Sequence, residues 1–462
     1  MTTPAVPAEG RAVTQRRLGR LRGLRIWDAA SVRDFRLLWS SEAVSVLGDQ
    51  FHAVALSWLV ITLTGSGLAL GTVLIAISVP RALLLMPMGV VADRRSPRSL
   101  MLLSHLARAA IVAVIAVLAA TGNASILALA ALGVLFGCAD AVFLPAMEAF
   151  VPRSVGAERL ASANSLLQAT LQLVAVVGPP VAGVVVAAAG TGIAFGIDAA
   201  SFVIAAGIVA LIGRTALRAA AGHGFASPAA SASSAPAAPP VGALTARDAQ
   251  KESFLASLRG GLRYVLDDHG IAVMLAVSLV LNFALNGPAA VGMPWLAELR
   301  YHAGAAGLGL LAAGWAVGSL AGTLIAGNTR LERPGRILLA AIAVSGLAIG
   351  GVGLAGSIAA AVLLFAVGGM CIGYVNIVAV SWLQARVDMA MLGRVMSLVM
   401  LVGFGISPLS MTVAGALIDA NATALFVGAG ALVVAATVGA VLLGTAELFD
   451  GPRPAPGRAK AG

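Results

Sequence analysis

The chain has 462 residues, of which 59% are hydrophobic and only 11% charged, and its mean hydropathy is +0.96. A soluble globular domain carries roughly 25% charged residues, so this composition excludes a soluble enzyme and places most of the chain in lipid. The net charge of +10 does not mark a nucleic-acid binder, because nearly all of the charge lies in short loops between apolar runs.

Residues 1–40 form a basic arm ahead of the first apolar run. That run is longer than a signal core and others follow at once, so it reads as a membrane span rather than a cleaved leader. A membrane-crossing helix needs about 20 apolar residues. Twelve windows qualify: 41–64, 69–92, 100–121, 124–150, 161–189, 191–213, 269–297, 303–327, 336–356, 357–384, 394–419 and 421–446. An all-α membrane protein of two six-helix bundles, 41–213 and 269–446, is therefore predicted. Between the bundles, 214–268 form a polar connection. Residues 219–250 are rich in Ala, Pro and Ser without an apolar period, the signature of a linker. Phe254, Leu258, Leu262, Val265 and Leu266 then recur at helical spacing, predicting a short helix on the membrane surface or against the protein's own underside. A tail, 447–462, ends the chain.

Orientation follows from the arginines and lysines. With the amino terminus inside, 27 of the 30 basic residues face the cytoplasm, Arg300 alone lies outside, and Arg81 and Arg108 remain in the membrane. This is the positive-inside pattern of a multi-pass protein of the cytoplasmic membrane with both termini inside. Cys138 and Cys371 fall in apolar runs, and the five histidines have no ligand spacing. No metal or other cofactor is expected, and with no phosphate loop or nucleophile elbow neither an ATP-driven pump nor an enzyme is predicted.

Ionisable residues inside the spans are the strongest functional signal. Counting about 1.5 Å per residue from the helix ends, Asp49, Arg81, Arg108 and Asp140 reach one level near the middle of a hydrocarbon layer about 30 Å thick. Each such charge costs ~2.5 to 3.5 kcal/mol on insertion scales, so aspartates and arginines are expected to pair in an interior network. One aspartate of that network would carry a proton, Asp49 by preference because it lies beside His52 and a polar serine face, Ser41 and Ser45, suited to lining a watery cavity; a permanently paired structural network is the alternative. Gln168 and Gln172 in the fifth span, and Asn282, Asn286 and Asn376 in the second bundle, are candidates to line a cavity. Asp49 and Trp58 match Asn286 and Trp295 at one offset, which supports an internal duplication with a site between the halves.

Four stretches then carry a resemblance: "DFRLLWSSEAVSVLGDQFHAVALSWLV", "VPRALLLMPMGVVADRRSPR", "FLPAMEAFVPRSVGAERLASANSL" and "MLGRVMSLVMLVGFGISPLSMTVAGALID". Together they resemble the branch of the major facilitator superfamily that includes macrolide-efflux and enterobactin-exporter proteins. The resemblance implies a twelve-helix antiporter that exports small, amphipathic, drug-like molecules, driven by the proton gradient and working as a monomer. A siderophore or metabolite exporter on the same fold is the alternative, and a non-transporting receptor is the reading from another class. It also implies a cytoplasmic latch at Gly89, Asp93, Arg94 and Arg98, with Ser96 and Pro97 departing from the usual pattern. Gly178, Pro179, Pro180 and Gly183 resemble the kinked, glycine-packed fifth helix of antiporters, with Ala182 where a second glycine is usual.

Overall fold

The computed structural model describes residues 27–213, 254–328 and 334–444. Among them no strand forms, and the spans run α1 Arg33–Thr64, α2 Gly67–Arg94, α3 Pro97–Ala120 and α4 Ile126–Val155. A single helix of 51 residues, Leu160–Ala210, follows. At about 1.5 Å per residue it is more than twice as long as one membrane crossing needs. It breaks at Gly190, whose φ of 83° and ψ of 168° suit a residue without a β-carbon, giving α5 (160–189) and α6 (191–210). The second half comprises α7 His269–Arg300, α8 Gly304–Asn328, α9 Pro334–Val352 and α10 Ile358–Arg386. Met389–Gly405 and Ser407–Leu442 follow, and the break at Asn421 divides them into α11 (389–420) and α12 (422–442). The described residues thus form a bundle of twelve membrane helices.

The helix starts follow from local chemistry. Ser66, Ser125 and Ser357 accept from the backbone N–H three residues on, and Asp268 accepts from Gly270 and Ile271; each satisfies donors a helix would leave bare. Pro97 occupies the first turn of α3, where its missing N–H costs nothing. α1 begins at Arg33, eight residues before the apolar window, because its first two turns bury Phe35 and Leu38 against the protein rather than in lipid.

The helix Phe254–Asp267 resolves the choice left open for the connection. Val265 is buried with Leu383, Val387 and Leu398, and the Asp388 N–H donates to the Tyr264 hydroxyl at 3.3 Å. It packs on the underside of the second half. Residues 219–250, expected to be a linker, lie outside the described residues.

The halves meet at the end opposite the arginine-rich loops, here called the far end. A β-carbon on Gly71 of α2 would lie 2.8 Å from the Met411 carbonyl of α11, and one on Gly183 of α5 would lie 2.6 Å from the Ala305 carbonyl of α8. Asp419 of α11 crosses the same seam: it accepts from the Gly67 N–H at 2.6 Å, the Ser66 hydroxyl at 2.7 Å and the Leu68 N–H at 3.1 Å. Among the described residues no hydrogen bond, ion pair or close glycine contact joins the halves at the basic end. Leu83 and Val90 of α2 are exposed, and nothing lies within 4 Å of where a β-carbon on Gly89 would stand. The molecule is closed at the far end and open at the basic end.

Candidate functional site

The first half holds a buried polar column. Asp140 of α4 bridges two arginines: Arg81 of α2 reaches its Oδ2 at 3.1 Å and Arg108 of α3 its Oδ1 at 3.1 Å. The Arg81 side chain is 48% exposed and that of Arg108 only 2%. Two aromatic rings hold the buried guanidinium, Phe143 at 4.9 Å and Phe202 at 4.4 Å from their centroids, which attract the cation through their ring faces. Arg108 also donates to His105 Nδ1 at 3.1 Å. Because arginine only donates, that nitrogen accepts and the ring proton sits on Nε2.

Three of the four residues expected at one depth therefore meet, and the fourth does not bond to them. Asp49 makes no hydrogen bond or ion pair among the described residues, although it lies within electrostatic range of Arg108, Asp198, Asp140 and Glu42. Its helix continues the column in both directions. Two turns toward the basic end stands Glu42, 8% exposed, with Oε2 unpartnered among the described residues. One turn toward the far end, His52 Nδ1 pairs with Asp198 Oδ2 of α6 at 3.1 Å, and the His52 ring stacks on Phe136 at 4.7 Å. Asp198 is 0% exposed and its Oδ1 has no partner among the described residues.

Glu42, His105, His52 and Asp198 thus join the site that the sequence reading centred on Asp49, Arg81, Arg108 and Asp140. Their signal was spacing: Glu42 falls seven residues before Asp49, and His105 three before Arg108, each on the same helix face. The serine face of α1 needs correcting. Ser41 and Ser45 do not line a watery cavity; both are buried, and the Ser41 hydroxyl donates to the Ala205 carbonyl at 3.1 Å.

The loop motif has a different geometry from a latch in this state. Arg94 is exposed, and Arg98 donates to the Ala210 carbonyl of α6, a contact within one half. Gly89 faces open space, and the side chain of Asp93 lies outside the described residues. The fifth-helix motif, by contrast, forms the far-end seam. A β-carbon on Gly309 of α8 would lie 2.7 Å from the Pro179 carbonyl and 3.0 Å from the α-carbon of Pro180, while Gly178 abuts the side chain of Gln50. Its backbone stays helical through both prolines, and the non-helical residue of this helix is Gly190.

The cavity candidates separate into two places. Gln168 borders a groove with Glu148 and Asn164, and Gln172 is partly buried one turn on. Asn282, Asn286 and Asn376 line a common pocket in the second half.

Residues 27–222 match the family described as transmembrane secretion effector. The enterobactin exporter EntS of Citrobacter koseri is 28% identical over 400 residues, 86% of this chain and 85% of that protein. The enterobactin exporter EntS of Escherichia coli is 26% identical over 336 residues, 72% of this chain and 70% of that protein. The chain is thus similar in sequence to transporters of the major facilitator superfamily. The fold of this transporter agrees with solved structures of low identity. A POT family transporter superposes with a TM-score of 0.67 at 12% identity, covering 91% of this chain and 97% of that one. A bacterial homologue of the iron transporter ferroportin, in an inward-facing state, gives 0.65 at 15%, covering 91% and 99%. With these similarities and its apolar spans the chain is a multi-pass membrane transporter and not an enzyme.

Proposed function

We propose that this transporter exports small amphipathic molecules across the cytoplasmic membrane by proton antiport, acting as a monomer with no cofactor beyond the proton gradient. The basic loops and both termini face the cytoplasm, as the positive-inside rule requires, so the described state opens inward. Asp49 carries the coupling assignment: it is a carboxylate inside the membrane, surrounded by charged groups, with no bonded partner among the described residues. Asp140 has the other role. Bonded to both arginines, it balances them and holds α2, α3 and α4 together.

Two cargo classes share this mechanism. Drug-like compounds follow from the resemblance of the motifs; a siderophore has the specific support that the relatives are named enterobactin exporters.

The test compares Asn variants in cells and in liposomes with an imposed pH gradient, reading efflux of enterobactin and of ethidium. Asp49→Asn should abolish gradient-driven efflux at normal membrane abundance. Asp140→Asn should lower abundance instead, because breaking a buried pair leaves an uncompensated charge, costing about 3–5 kcal/mol. Full gradient-driven efflux by Asp49→Asn refutes the coupling assignment, and efflux of neither compound by the wild type refutes the cargo classes.

A further inference from the structure

The second half contains a polar site that the charged column does not use. On α7, Ser278, Asn282 and Asn286 form one stripe at four-residue spacing. The Asn286 amide donates to Asn282 Oδ1 at 3.4 Å, and the Asn282 amide to the Ser278 carbonyl at 2.9 Å. Trp315 and Ser319 of α8 and Asn376 of α10 complete a pocket of about 270 Å³. Glycines bind these walls together. A β-carbon on Gly314 of α8 would lie 2.7 Å from the Val362 carbonyl of α10, and Gly369 and Gly373 of α10 meet the Trp315 and Ser319 carbonyls more closely still. Trp315, Ser319 and Asn376 therefore stand on two backbones in direct contact.

Polar groups in a hydrocarbon layer cost free energy unless they are bonded. The Asn376 amide, the Ser319 hydroxyl, Asn286 Oδ1 and the Trp315 indole N–H have no hydrogen-bond partner among the described residues, and all four side chains line the one pocket. Charge is absent from the lining. A charged guest would lose its hydration without gaining a counter-ion, so the pocket selects against it. Its volume falls below the range of roughly 300–1,000 Å³ that houses a whole drug-sized ligand. The duplication sharpens the contrast, since Asn286 occupies in α7 the place that Asp49 occupies in α1.

We infer that this pocket is a cargo subsite for an uncharged aryl group bearing a hydrogen-bonding substituent, as in an aryl amide. The indole of Trp315 and the walls at Leu281 and Val375 take the ring, and the asparagines take the substituent. This assignment rests on the export reading above.

Benzanilide is the probe, with its 4-carboxylate as the charged counterpart. Binding is measured by saturation-transfer NMR on the full-length chain in lipid nanodiscs, with no pH gradient. Saturable binding of benzanilide is expected, at least tenfold tighter than that of the carboxylate. Asn376→Leu and Trp315→Ala should each weaken benzanilide tenfold or more. Asn376 is exposed, so its variant should keep the fold, checked by gel filtration and thermal unfolding. Equal binding of the carboxylate, no saturable binding of benzanilide, or an unchanged affinity in Asn376→Leu would overturn the subsite. Because no gradient is applied, benzanilide binding that persists while gradient-driven export fails sinks the export reading and leaves the subsite standing.

Discussion

Asp419 offers the cleanest test of how the far end is held shut. It belongs to the second half, yet its carboxylate caps the first turn of α2 in the other half through the Ser66 hydroxyl and the Gly67 and Leu68 N–H groups. Three bonds to an ion at a helix N-terminus would be worth several kcal/mol if buried, but Asp419 is exposed and water screens it. Asn keeps one acceptor oxygen while its amide group opposes the N–H donors. The net loss for Asp419→Asn is therefore about 1–2 kcal/mol, a five- to thirtyfold shift toward the state open at the far end. Spin labels at Thr72 and Leu417, exposed positions flanking the clamp, would report it by pulsed EPR in nanodiscs. The long-distance population should grow by that factor. An unchanged distance distribution in both Asp419→Asn and Asp419→Ala would refute the clamp.

Other positions give independent checks. Gly89→Leu should be accepted by the state described here, where the site is open, and should hinder closure at the basic end, so thermal stability should persist while transport falls at least tenfold. Asp93→Asn should lower transport while the protein still reaches the membrane, because the latch expected from the motif loses its charge; wild-type rates would leave the loop a merely topogenic one. Gly318→Val would push a side chain into the Ala366 carbonyl of α10 and should lower thermal stability by at least about 1–3 kcal/mol. A cysteine at position 235 should label only after the membrane is permeabilised, and labelling in intact cells would reverse the assigned orientation.

The spans were legible because lipid imposes a length and a composition that no competing structure satisfies. Their ends were less so. Arg33–Ser40 reads as a polar arm by hydropathy but is helical, since Phe35 and Leu38 bury against neighbours that lie far away in sequence. Counting depth along each helix brought Asp49, Asp140, Arg81 and Arg108 to one level, but only the last three pair. Depth says nothing about rotation. His52, Asp198 and Glu42 needed the helix azimuths that place α1 against α6, and Ser41 and Ser45 were misjudged for the same reason. Whether a glycine stripe packs on a particular neighbour is likewise a tertiary fact: Gly314, Gly318 and Gly322 advertise a smooth face, but only the fold shows that α10 occupies it.

The distribution of polarity between the halves bears on mechanism. A carboxylate that changes protonation alters the field around it, and a cargo site built from charges would feel every proton step directly. Here the ionisable side chains that meet inside the membrane belong to the first half, and the pocket of the second is lined by amides, hydroxyls and an indole. The far-end seams join them through backbone contact at Gly71, Gly183 and Gly309, so the proposed proton coupling would pass through rigid-body movement of one half on the other rather than through a shared charge. That arrangement predicts reciprocal but indirect linkage: cargo affinity should change with protonation only insofar as the protein changes state. In a variant locked open at the basic end, such as Gly89→Leu, benzanilide affinity should therefore be flat with pH, whereas in the wild type it should vary. Equal pH dependence in both would mean that the column acts on the pocket directly, and the division between a proton half and a cargo half would fail.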